Sequence, residues 1–274
     1  MRKVILLIIL IFISISCGNN NNKFISLFLI TNEINVGQNR IALSIIDSEG
    51  ASLRENIELS YKKIDKENRK KIENFNVVKW PNNKYILTTK INFTSEGYWE
   101  IYAKDKLNNL TNKATLLVKA NSKVPFIGDK ISNIKTPNTN LEDINSITTD
   151  PTPYKIFYEY SLDDALNLNK PIVIFFTTPG LCQTGTCGPQ IEEMKKLYED
   201  LSDSLIFIHV EIWSNFEEIK KEGNLSVGIV NKAVESFGLE DEPWTFLINS
   251  NGFIVERYQG FTNYEEIKKD VLKN

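Results

Sequence analysis

The 274-residue sequence predicts an N-terminal β-sandwich followed by an α/β domain with a mixed central sheet. Three observations carry this. Residues 24–120 contain short runs in which apolar and polar side chains alternate, separated by turn residues. Residues 155–274 alternate apolar, strand-like runs with stretches of helical spacing and end on a hairpin and a helix. Between them, residues 121–154 are rich in Asn, Thr, Pro and Ser, the composition of a linker, with Phe126, Ile127, Ile131 and Ile144 able to pack against a neighbour.

Ahead of the sandwich, Arg2 and Lys3 precede an apolar run that ends at Ser14-Ile15-Ser16-Cys17. The run is shorter than the roughly 20 residues a membrane span needs. Residues 1–17 therefore read as an export signal. Cys17 at the cleavage point resembles the lipobox of bacterial lipoproteins, in which that cysteine carries the lipid. The resemblance implies an extracytoplasmic chain anchored to the bacterial membrane, facing the periplasm or the cell surface, with residues 18–23 as a tether. Net charge is −3 with both signs mixed along the chain, which excludes the basic footprint of a nucleic-acid binder.

In the sandwich, strands are predicted at 41–46, 57–61, 85–91, 98–103 and 114–118, with turns at 47–50, Gly97 and 106–109. About seven strands in about 100 residues fit a domain of immunoglobulin type. No cluster of acids, histidines or cysteines falls here, so a spacer or partner-binding role is expected.

In the α/β part, 154–160 reads as a strand. Ser161 caps a helix to 168, with Asp163 and Asp164 in its first turn. There follow strand 171–176, helix 188–201, strand 205–212, helix 227–237, strand 244–249, the turn 250–252, strand 253–258 and helix 264–272. Cys182 and Cys187 sit on the turn between strand 171–176 and helix 188–201, where a helix N-terminus stabilises a thiolate. With Cys17 carrying lipid, these two form an even pair in a compartment where disulfides persist. Closing so short a loop removes little chain entropy, so the placement points to redox chemistry more than to stability.

That element order resembles the thioredoxin fold. Cys187-Gly188-Pro189 echoes the start of the thioredoxin active site, and Glu242-Pro243-Trp244-Thr245-Phe246 falls where thioredoxins carry a cis-proline before a strand. The sandwich-plus-thioredoxin layout, with Phe-Ile-His-Val-Glu at 207–211, resembles a group of bacterial thioredoxin-like lipoproteins. The resemblance covers residues 155–274. It implies thiol–disulfide exchange with protein thiols and disulfides through Cys182 and Cys187, with no cofactor. Glu242 and Pro243 would then face an extended substrate.

The departures from that pattern are informative. Four residues separate the cysteines where thioredoxins have two. On a continuous helix, positions five apart differ by about 140° in direction and roughly 7.5 Å in rise. Pairing therefore requires Cys182 to lie in a loop folded back over the helix start, with Gly180 and Gly185 supplying the freedom. Chain order makes Cys182 the attacking thiol, whereas the helix terminus favours Cys187; a loop thiol reaches a protein substrate more readily, which favours Cys182. Phe175 stands where many thioredoxins carry a buried acid, leaving water or another group such as Glu211 to move the proton. His209, the single histidine, reads as a packed strand residue. In an alternative reading it joins the two sulfurs as a copper(I) ligand in a binding or delivery protein. A third reading is an interaction module whose disulfide only pins a loop. The acidic pairs at 192–193, 217–218 and 265–266 read as solvated helix faces.

Overall fold

The computed structural model describes residues 23–273 apart from 82, 132, 133 and 184. The expected leader, Cys17 and all but the last residue of the tether lie outside the described residues. The alternating N-terminal runs form β1 (Ile25–Leu29), β2 (Ile34–Asn35), β3 (Gly37–Asp47), β4 (Ile57–Lys63), β5 (Lys70–Ile72), β6 (Asn76–Trp80), β7 (Lys84–Phe93), β8 (Gly97–Asp105) and β9 (Leu110–Lys119). They pair as two sheets, in the orders β1-β3-β7-β6 and β2-β9-β8-β4-β5. All these pairings are antiparallel except that of β2 with β9. Side chains along a strand point alternately to its two faces. Leu116 and Val118 of β9 are accordingly buried while Thr115 and Leu117 are exposed. Ile41, Leu43 and Ile45 of β3, Leu87 of β7, and Trp99 and Ile101 of β8 meet in one core between the sheets.

Residues 121–154 are packed despite their polar composition. Val124 and Ile131 join the core of the α/β part, and Lys130 bridges to Phe253 through the backbone. A short helix, α1 (Ile144–Ile147), seats Ile147 in a second core.

The α/β part continues with α2 (Leu162–Ala165), β10 (Ile172–Phe176), α3 (Cys187–Leu201), β11 (Ile206–Val210), α4 (Phe216–Glu222), α5 (Lys232–Ser236), β12 (Trp244–Ile248), β13 (Ile254–Gln259) and α6 (Tyr264–Val271). The sheet order is β11-β10-β12-β13. Strands β10 and β11, joined by α3, are parallel, and the remaining pairs are antiparallel. This βαβ unit followed by a β-hairpin and helix is the thioredoxin-like layout that the sequence resemblance implies. Every residue of β10, β11 and β12 is buried, as expected of strands covered on both faces. One face carries Ile174, Phe176, Ile208 and Phe246; the other carries Val173, Phe175, Phe207 and Leu247, beneath α3 and α6. The outer edge of β13 lies against β2, β3 and β7: Arg257 donates to Glu33 O and to Asn35 Oδ1 of β2, Arg40 of β3 donates to Gln259 O, and Lys90 of β7 pairs with Glu256 and Asp270.

Three local expectations change. Residues 154–160 are not a strand, because a 3-10 turn spans Lys155–Tyr158. A strand would send Phe157 and Tyr158 to opposite faces, yet both enter the same core. The expected helix 227–237 is broken. Gly228 is extended, Val230 bridges to Trp213, and α5 begins only after Asn231, whose side chain caps Ala233 N. At α2 the capping hydroxyl comes from Thr136, which accepts from Leu162 N at 3.0 Å, while the Ser161 hydroxyl is bonded to Asp163 and Thr136 N.

Phe157 stands at the centre of an aromatic group, with Tyr154, Phe175, Tyr198 and Phe207 all within 5.7 Å between ring centroids. Phe157→Ala is expected to lower unfolding free energy by about 3–5 kcal/mol. Urea unfolding of parent and variant measures this, and a loss below about 1 kcal/mol would contradict the packing described.

Candidate functional site

Phe176 ends β10, and the chain then turns through Thr177–Thr186 before entering α3 at Cys187. Cys182 and Cys187 are joined as a disulfide with Cα atoms 5.9 Å apart. Cys187 is the first residue of α3 and wholly buried, whereas Cys182, in the loop, is half-buried. The backbone N–H of Cys187 donates to Cys182 Sγ at 3.3 Å. The loop does fold back over the helix start, and its close passage depends on Gly180. A Cβ at that position would sit 2.8 Å from Thr149 Cβ.

The peptide bond between Glu242 and Pro243 is cis, immediately before β12. Because Phe176 pairs with Trp244, the Glu242-Pro243 step lies beside the start of the cysteine loop. The Glu242 carboxylate turns toward that loop and accepts from Thr178 N at 2.6 Å. Pro243 O accepts from Gly260 N, tying the step to the end of β13.

Glu211 follows β11 and is buried. Its Oε1 accepts from the backbone N–H of Thr149, from Thr149 Oγ1 at 2.7 Å and from Thr148 Oγ1 at 3.2 Å. Thr149 Oγ1 in turn accepts from Gly180 N at 2.8 Å. Two carboxyl groups thus hold the first half of the loop, one directly at Thr178 and one through Thr149 at Gly180. Desolvation raises the pKa of each to about 7. Hydrogen bonds from Thr149, Thr178 and Thr148 oppose the shift at Glu211, and Thr178 opposes it at Glu242, where the Glu211 charge adds to it. Carboxyl groups in this range can hold or release a proton near neutrality.

His209 lies on β11 with its ring stacked on Phe175, and both ring nitrogens are engaged. Nε2 is 2.9 Å from Thr177 O, which can only accept, so Nε2 carries the hydrogen and Nδ1 accepts from Tyr158 Oη at 2.7 Å. Burial lowers the pKa of His209 to about 4, which keeps the ring neutral. Tyr158 Oη also lies 2.9 Å from Thr148 Oγ1, which places the His209–Tyr158 pair against the Thr148–Glu211 pair; with the Tyr158 hydrogen given to His209 and the Thr148 hydrogen to Glu211, that contact itself carries none. With both nitrogens occupied, His209 presents no lone pair to a metal. Among the described residues no three His, Cys, Asp or Glu side chains gather as a donor set.

The structure therefore brings Cys182, Cys187, Glu211, Glu242 and Pro243 to one end of the sheet and places His209 in the network beneath them. Thr148, Thr149 and Tyr158 belong to this site without having been singled out in the sequence. Thr148 and Thr149 sit in a polar, proline-bordered run, where nothing separates buried hydroxyls from solvated ones. Lys195 of α3 fastens that run to the helix by pairing with Asp150 at 3.2 Å.

No family model matches the sequence, and no curated protein matches it. Among solved structures, StoA from Bacillus subtilis is 20% identical with a TM-score of 0.30, over 38% of this chain and 83% of that one. A Chlorobium tepidum protein named as the thiol:disulfide interchange protein DsbE is 16% identical with a TM-score of 0.35, over 54% of this chain and 97% of that one. No helix among the described residues is long and apolar enough to cross a membrane.

Proposed function

We propose that this chain exchanges disulfides with protein thiols through Cys182 and Cys187. The observation that carries the reading is the asymmetry of the pair: one cysteine is half-buried in a loop, the other fully buried at a helix N-terminus, and they are already bonded. In the reducing direction the Cys182 thiolate attacks one sulfur of a substrate disulfide, forming a mixed disulfide and expelling a substrate thiolate, which takes up a proton. Cys187 then loses its proton, attacks Cys182 Sγ and expels the second substrate thiolate. Two electrons pass to the substrate, and the Cys182–Cys187 bond closes. The oxidising direction is the same sequence reversed. Exposure favours Cys182 as the attacking thiol.

Glu211 and Glu242 serve as the proton store for the buried thiol, in place of the acid absent at Phe175. The backbone at Glu242 and Pro243 lines the face that receives an extended substrate. Lipid at Cys17, residence on the extracytoplasmic face of a bacterial membrane, an immunoglobulin-type domain over residues 24–120 and a thioredoxin-like domain over 155–274 belong to the same proposal.

Incubation in glutathione buffers tests the exchange. The disulfide is expected to equilibrate between roughly −120 and −270 mV. Cys187→Ser should accumulate mixed disulfides with protein substrates, and Cys182→Ser should not. A disulfide that stays closed throughout that window would make it a loop staple and end the exchange reading.

A second expectation concerns pH. The folded state holds a proton on Glu211 up to about pH 7, while the unfolded chain loses it near 4.5. This contribution to stability is complete below pH 4.5 and declines as pH rises through 7. Glu211→Gln should flatten the stability profile between about pH 5 and 7 by up to about 1.4 kcal/mol per pH unit, read from urea midpoints at several pH values. Parallel profiles for parent and variant would show that the carboxyl ionises normally.

A further inference from the structure

The loop after β13 connects the cysteine helix to the N-terminal sheets. Gln190, in the first turn of α3, is fully buried. Its side-chain amide accepts from Thr262 N at 2.9 Å and donates to Thr262 O at 3.1 Å. A buried amide that commits its donor and its acceptor to one backbone residue fixes the first turn of α3 to that residue.

The same loop is gripped from its other side. Arg40 of β3 is buried and donates to Gln259 O and Phe261 O, each at 3.0 Å. Its guanidinium also forms a two-pronged pair with Glu266 in the first turn of α6, both bonds 2.8 Å. Burial opposes the charge on each partner, yet the pairing raises the Arg40 pKa and holds the Glu266 carboxyl below its ordinary range. Phe261 inserts among Ala42, Val78 and Ile86, with the Trp80 ring edge-on at 5.7 Å. Gly260, at φ +75°, runs so close that a Cβ would lie 2.6 Å from Ile30 Cγ2.

We propose that Arg40 is a positioning residue for the Cys182–Cys187 pair. The N-terminal sheet holds residues 259–262; these, through Gln190, hold the N-terminus of α3, whose first amide donates to Cys182 Sγ. This inference rests on the exchange reading of the two cysteines. In the reduced protein that amide stabilises the Cys182 thiolate, and stabilising the reduced form makes a couple more oxidising. Loosening the chain of contacts at Arg40 or Gln190 therefore makes the pair more reducing.

The experiment measures the glutathione equilibrium constant of the full chain for the parent, Arg40→Lys, Gln190→Met and the double variant. Lysine keeps the charge and loses the planar fork; methionine keeps bulk and loses both hydrogen bonds. Each single change should shift the constant roughly three- to tenfold toward the disulfide, the size of a helix-terminus contribution. The double variant should match the larger single shift, because both act along one path. A constant within about twofold of the parent in a cooperatively folded Arg40→Lys protein would overturn the proposal, as would a double variant equal to the product of the singles. Should Arg40→Lys not fold, Phe261→Leu supplies the same reading. If the parent itself fails to equilibrate, the exchange reading falls, and the coupling is then read from hydrogen exchange. Faster exchange at the Cys187 and Gln190 amides in Arg40→Lys, with α5 unchanged, supports it; unaltered rates overturn it.

Discussion

Five positions separate the two sulfurs along the chain, and that spacing governs the architecture of the site. A helix carried back to Cys182 would set the cysteines about 7.5 Å apart in rise and about 140° apart in direction. The observed Cα separation of 5.9 Å needs a loop that doubles back over the start of α3. Such a loop gives up regular backbone pairing, and its buried N–H groups must find acceptors elsewhere. Thr178 finds Glu242, Gly180 finds Thr149, and Cys187 finds the Cys182 sulfur. Glu211 stands behind Thr149, so the loop's support is largely carboxylate and hydroxyl.

This support explains why two acids tolerate burial. A carboxylate out of water carries a large penalty unless hydrogen bonds or protonation relieve it. Here both occur: threonine donors converge on the pair, and the pKa of each group still rises to about 7. Protonation of the pair and the shape of the loop therefore depend on the same atoms. The neutral His209, anchored at both nitrogens, ties Thr177 at the loop's beginning to Tyr158 beside that network without adding a charge.

Much of the layout could be read from residue pattern. The continuous apolar run at 172–176 announces a strand covered on both sides, and Pro189 is tolerable only in the first turn of a helix, which fixes where α3 begins. The cis step at Pro243 is what the resemblance to thioredoxins implies, and the bond is cis. What escaped reading depends on tertiary partners. Thr148 and Thr149 look like linker residues until Glu211 is placed beside them, and the Glu242 side chain has no sequence signal that turns it inward toward Thr178. The aromatic alternation at 154–160 imitates a strand because Tyr154, Phe157 and Tyr158 are all drawn into one core, which a 3-10 turn achieves and an extended chain does not.

The junction between the N-terminal sheets and β13 follows a different logic from the cores on either side. An edge strand exposes unpaired backbone groups and needs cover. An apolar cover would suffice for that and would tolerate sliding. This cover instead places the buried guanidiniums of Arg40 and Arg257 against backbone carbonyls and side-chain oxygens. Buried charges of this kind rarely exceed well-packed apolar groups in stability, because desolvation consumes most of the attraction. Their geometry is far more demanding, since four acceptors around Arg40 are satisfied together in only one orientation of β3 against residues 259–262. Phe261, packed into the N-terminal sheet beside Trp80, supplies the apolar burial that offsets the cost. The relative placement of the two halves is therefore set by hydrogen-bond direction more than by area, and a substitution that keeps the charge but changes its shape disturbs it.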